Sequence, residues 1–135
     1  MANVNMTAGL KMVGDRASGV ASAAAAIAGM SVDDNTTFTN TDNDCADTGG
    51  SPTNFHGNAL DSTPTSPAAA TPHVVTHLMT LTTAQYNTFV VKRIALHNSA
   101  APTRTSTTLM FGIDGLSLTK ASTFSLVTTF KLSYT

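Results

Sequence analysis

The tightest constraint on this chain is its C-terminal stretch. From Phe124 to Tyr134, the residues Phe124, Leu126, Phe130, Leu132 and Tyr134 fall on one side of a period of two. Ser125, Thr129, Lys131 and Ser133 fall on the other, and only Val127 and Thr128 break the pattern. Such alternation predicts a half-buried strand of an antiparallel sheet, one face on a core and one in water. The sequence before it agrees. Val75, His77, Met79 and Leu81 alternate with smaller or polar neighbours. Phe89–His97 is a β-branched-rich apolar run too short for a helix, and Thr107–Ile113 resumes a strand. Asn98–Thr103, with Pro102, predicts a loop, and Gly112-Ile113-Asp114-Gly115 a tight bend or bulge. Roughly four to six such strands predict a mainly β fold, an antiparallel β-sandwich or small barrel in which a jelly-roll order is one option.

Composition supports β structure with polar loops. All 8 acidic residues are Asp and none is Glu, and Asp favours turns where Glu favours helices. Only 11% of the 135 residues are charged, against ~25% in an ordinary soluble domain. A surface so sparsely charged is weakly protected against self-association. The formal net charge of -1 leaves no basic footprint for nucleic acid and no polybasic patch for a membrane surface.

The chain is expected to form one domain, 1–135, in three zones. Residues 1–32 are rich in small side chains. Thr7 is placed to cap a short helix with Leu10, Val13 and Ala17 on its buried side, weakened by Gly14 and ended by Gly19. Ala23–Val32 would follow as a strand. The Ala-rich stretch Val20–Met30 starts too late and is too weakly apolar for a signal peptide. Residues 33–72 hold six of the eight Asp and four of the five Pro, the composition of an extended polar arm or loop without a core of its own. Its scattered apolar residues Phe38, Phe55 and Leu60 are the candidate anchors on neighbouring subunits; the alternative is that the arm folds back on its own domain. Residues 73–135 carry the β core.

Chemistry-bearing motifs are sparse. Cys45 is the single cysteine, so no internal disulfide forms. Its acidic setting, Asp42-Asn43-Asp44-Cys45-Ala46-Asp47, predicts a passive thiol. His73 and His77 would share a strand face but stand ~13 Å apart, too far to share a metal ion. Asn40, Asp42 and Asp44 echo the start of a calcium loop, yet Cys45 occupies the Gly position and no Glu closes the shell. There is no phosphate-binding glycine loop and no G-x-S-x-G. No catalytic residue, cofactor or metal site is predicted.

Two stretches carry a resemblance. The first is Ala8-Gly9-Leu10-Lys11-Met12-Val13-Gly14-Asp15-Arg16-Ala17-Ser18-Gly19. The second runs from Val91-Lys92-Arg93-Ile94-Ala95-Leu96-His97-Asn98 through Leu109-Met110-Phe111 to Leu118-Thr119-Lys120-Ala121-Ser122-Thr123-Phe124-Ser125-Leu126. Together they resemble short bacteriophage virion proteins of the tail-fibre and capsid-accessory type. The middle zone departs from that pattern, with an Asp/Thr/Asn-rich loop where many such proteins carry a Gly-Thr-Gly-rich strand and turn. The resemblance implies a β-sandwich in a symmetric oligomer on the virion, with no catalytic residues to carry over.

The expected function is therefore non-enzymatic: a virion subunit, capsid cement or decoration protein or tail-fibre or adaptor component. It would bind other copies and major capsid or tail proteins, and stabilise the particle by binding only its assembled state. The alternative is a receptor- or glycan-binding β-sandwich. Sugar sites need aromatic platforms, and here Trp is absent while Tyr86 and Tyr134 lie far apart in sequence.

Overall fold

The computed structural model describes residues 2–19, 26–46, 52–62, 73–105 and 108–134. Along them run β1 (Ala2–Asn5), α1 (Thr7–Ala17), β2 (Gly29–Asp33), β3 (Phe55–Ala59), β4 (His73–Leu81), β5 (Val90–Val91), β6 (Arg93–His97), β7 (Leu109–Asp114), β8 (Leu118–Thr119) and β9 (Leu126–Tyr134). The fold is mainly β with a short N-terminal helix. β1, β7, β6, β2 and β3 form a five-stranded antiparallel sheet in that order, while β4–β9 and β5–β8 form two-stranded ladders.

Residues opposite one another in an antiparallel ladder point to the same face, so the register sorts the sheet into two faces. Met30, Leu96 and Phe111 lie in line on one face, as do Val32, Ile94 and Ile113. Ser31, Ala95 and Gly112 lie on the other, with the pair Asp33 and Arg93. The first face meets Met12 of α1, Met79 and Leu81 of β4 and Phe130 of β9 in the main core. Each fully buried side chain of this size contributes roughly 1.5–3 kcal/mol, so this layer supplies most of the folding drive. The second face is covered by the segment 33–46, whose Phe38 and Cys45 pack with Met6, Ala95 and Leu109.

That segment was expected to be an arm without a core, and the structure corrects this. Thr7 donates from its N–H and hydroxyl to the Asn40 carbonyl. The Phe38 N–H donates to Asp114 and the Leu109 N–H to the Asn43 carbonyl. Residues 55–59 are strand β3, paired with β2. Within the described residues, the polar zone is the second cover of the sheet and one of its strands.

Other local expectations shift for identifiable reasons. Leu10 is 53% exposed, and α1 instead seats Gly9 and Met12 against the sheet. A Cβ on Gly9 would collide with the Met110 carbonyl oxygen. The absent side chain allows the close approach, which an apolar pattern does not register. Thr7 ties the helix to Asn40. The helix ends with the Ser18 N–H on the Gly14 carbonyl and Gly19 at φ +71, the left-handed closing residue that glycine supplies.

The strand expected over Ala23–Val32 is β2, beginning at Gly29; residues 20–25 lie outside the described set. Phe89–His97 is divided at Lys92 between β5 and β6, which belong to different ladders. Lys92 bridges instead, its N–H donating to the Asp33 carbonyl and its own carbonyl accepting from Leu116. β7 runs straight through Gly112 to Asp114; the irregularity lies between Leu96 and His97, and the bend follows at Gly115, φ +70.

β9 keeps its period of two without a break. Thr128 and Phe130 are buried, Leu126 and Leu132 half-buried, and Val127 is 55% exposed. Thr128 is tolerated inside because its hydroxyl donates to the Met79 carbonyl at 2.9 Å. Phe124, expected on the inner face, precedes the strand and is exposed.

Candidate functional site: a sealed polar cluster and an open strand edge

The second face of the sheet carries an unusual charge. Arg93 is 0% exposed. Its Nε and Nη2 donate to the two Asp33 oxygens at 2.7 and 3.0 Å, Nη1 to the Thr37 carbonyl at 2.7 Å and Nη2 to the Cys45 carbonyl at 2.8 Å. The Phe38 ring centroid lies 4.0 Å from the guanidinium carbon. A buried cation survives only when paired and hydrogen-bonded, and here both conditions hold. Burial pushes the Asp33 carboxyl above its ordinary value, while the Arg93 hydrogen bonds and charge pull it back. The planar fork of an arginine joins a carboxylate and two carbonyls at once. Arg93 thereby fastens segment 33–46 onto the sheet.

Beside it lies a group of nucleophile-type residues. Ser31 Oγ and His97 Nε2 share a 2.7 Å hydrogen bond. Cys45 Sγ is 3.8 Å from Ser31 Oγ and 3.9 Å from His97 Nε2. All three side chains are fully buried. Burial, reinforced by the Asp33 charge, pushes the Cys45 thiol up to about 12. Nucleophilic work needs a thiolate and an approach path; this sulfur has neither in the folded chain. Sequence reading found Cys45 but missed its partners, which lie 14 and 52 positions away. The one local signal was a polar Ser and a His among the apolar residues of β2 and β6, strands that also carry Asp33 and Arg93.

The three predicted anchors are separated by the fold. Phe38 is buried in the chain's own second core and lies against Arg93. Phe55 is half-buried on β3 and packs against the same cluster, and Leu60 is half-buried against the main core. Each is used, at least in part, to close the chain on itself.

The histidines also separate. His77 is buried on β4 with both ring nitrogens lacking a hydrogen-bond partner among the described residues. Burial lowers its pKa from the ordinary histidine value. His56 shares a hydrogen bond with Asn58. The Asp42 carboxylate accepts from the Thr39 N–H and hydroxyl, and Asp44 from the Ala46 N–H. These are the turn-closing bonds of short acidic side chains. No group of three His, Cys, Asp or Glu suited to a metal ion occurs among the described residues.

The feature left open is an edge. β9 pairs along all nine of its residues with β4 and with no second strand among those described. β1 likewise pairs only with β7. A cavity of about 250 Å³ is lined by Asn3–Asn5 of β1, Gly112 of β7 and Phe130–Ser133 of β9. An unpaired edge presents backbone N–H and C=O groups to whatever strand approaches. No family model, curated protein or solved structure matches this chain. No described helix is long and apolar enough to cross a membrane.

Proposed function

We propose that the protein is a non-enzymatic structural subunit of a bacteriophage virion, of the capsid cement or decoration or the tail-fibre or adaptor type. It binds copies of itself and major capsid or tail proteins, and takes neither nucleic acid nor membrane as a partner. The observation that carries the reading is the edge of β9, nine residues long and unpaired among the described residues, with Phe130–Ser133 lining a cavity shared with β1. A long edge with one charged outward residue, Lys131, and an exposed Val127 is the kind that natural monomers cover or blunt. The sparse surface charge and the resemblance to phage virion proteins support the same reading. So does the sealing of Ser31, Cys45 and His97 away from any substrate.

Mass spectrometry of purified particles from the source that encodes the chain tests this directly. The chain is expected in them at a fixed ratio to the major structural protein, and its absence would sink the proposal. Val127→Lys with Thr129→Lys, both at exposed positions of β9, should leave the fold intact and lower that ratio.

A further inference from the structure

Phe55 converges at the β3 edge of the sheet with two aromatic residues of a distant loop, Tyr86 and Phe89. A cavity of about 280 Å³ is walled there by Asn54, Phe55, His56, Tyr86, Phe89 and Arg104. The Phe89 ring is 41% exposed and meets Tyr86 edge-on, centroids 5.6 Å apart. Tyr86 is fixed from behind, its hydroxyl donating to the Val90 and Asn54 carbonyls. The loop that presents both rings is strained. Tyr86 and Thr88 sit at φ 52 and 68, in the left-handed region, and Thr is β-branched. Backbone strain of this kind persists where the surroundings over-determine it and clusters at ligand clamps.

The polar half of the wall carries one fixed cation, Arg104. Arg104 Nη1 donates to the Pro52 carbonyl at 2.8 Å, which orients the guanidinium. Its other N–H groups make no hydrogen bond among the described residues. Of the carboxylates whose charge reaches Tyr86, Asp33 is paired with Arg93, while Asp34 accepts from the Asn54 N–H and side-chain amide and keeps its charge. Aromatic faces next to oriented N–H donors suit a ligand that is apolar on its ring faces and oxygen-rich at its rim. The volume lies just under the ~300–1,000 Å³ of drug-sized sites, which is room for one ring. The Arg104 N–H groups left without a partner among the described residues suit a carboxylate.

We propose that this cavity binds a single carboxylate-bearing sugar residue of a glycan, with its ring on Phe89 and Phe55 and its carboxylate on Arg104. The site is independent of the β9 edge and of the particle-subunit reading, so either proposal can fail alone.

The test is a glycan array carrying uronate- and sialate-containing oligosaccharides beside neutral ones, probed with the full chain. Retained acidic glycans are then titrated against the isotope-labelled protein by NMR. Retention of acidic over neutral glycans is expected, with shifts centred on Phe55, Tyr86, Phe89 and Arg104. Arg104→Gln and Phe89→Ala should each weaken binding about tenfold or more, a loss of about 1.4 kcal/mol or more, with unchanged thermal midpoints. Arg104→Lys should retain part of the affinity. No acidic glycan retained, shifts centred elsewhere, or affinity unaffected by both Arg104→Gln and Phe89→Ala would each overturn the proposal. A Phe89→Ala variant that changes oligomeric state but not glycan retention would overturn it too.

Discussion

Replacing Arg93 by Met removes the fastening of segment 33–46 while keeping an apolar stem of similar reach. Asp33 then loses both of its bonds to the guanidinium, and the Thr37 and Cys45 carbonyls lose their donors. Breaking a buried pair from one side costs about 3–5 kcal/mol, and each orphaned buried carbonyl about 1–3 kcal/mol. These penalties overlap because the segment can lift and admit water, so the expected loss is about 4–6 kcal/mol. Against a typical total of ~5–15 kcal/mol, that leaves a marginal fold. Urea unfolding followed by circular dichroism, at constant slope, measures it. The double variant Asp33→Leu with Arg93→Met removes the stranded carboxylate, and the Thr37 and Cys45 carbonyls and the Asn35 N–H lose these bonds. It should be destabilised by about 2 kcal/mol, less than the single variant. The single variant should also recover stability as pH falls. A carboxyl whose folded-state pKa is raised takes up its proton more readily in the folded chain, so acid favours folding there. A single-variant loss under about 1 kcal/mol, or a double variant worse than the single, would refute the fastening role.

Three further expectations concern other parts of the fold. Burial lowers the pKa of His77, so the unfolded chain binds its proton first. Stability should be full above pH ~6.5, decline as pH falls below that unfolded value, and level off below the folded one; His77→Leu should remove this slope in thermal melts and gain about 1 kcal/mol at pH 7, and a slope that persists would clear His77 of the effect. Gly9→Ala drives a methyl into the Met110 carbonyl oxygen, an overpacking cost of about 1–3 kcal/mol in urea unfolding; a neutral result would mean that α1 does not sit so close to β7. Cys45, sealed and pushed up to about 12, should react with a thiol reagent at pH 8 only as fast as the chain opens, whereas labelling at the rate of a free peptide thiol would refute its burial.

Much of this fold is legible in the residues, and the exceptions share a cause. Alternation reports the two faces of a segment, so β4 and β9 could be read directly, as could the β character of the stretch from Phe89 to His97. It does not report what lies opposite. Leu10 has the right spacing for a buried face, but Gly9 and the β7 backbone decide which side of α1 approaches the sheet. Gly112 likewise leaves the space that the Phe38 ring fills. Composition marked residues 33–72 as a coreless arm because a hydropathy pattern gives no credit for a ring and a thiol inserted over another segment's strands.

The sequence by itself determined that the chain is mainly β, that its last strand is half-buried, and that no familiar catalytic motif is present. Only tertiary structure decided where segment 33–46 goes, because the bonds that hold it join Arg93 to Asp33 across 60 positions and to Cys45 across 48. Tertiary structure likewise gathered Phe55, Tyr86, Phe89 and Arg104 around one cavity, and left the outer edge of β9 without a strand among the described residues. Periodicity is a property of neighbours in the chain. Charge pairing, cavity shape and edge pairing are properties of neighbours in space, and a strand can alternate faultlessly without revealing what its free edge will meet.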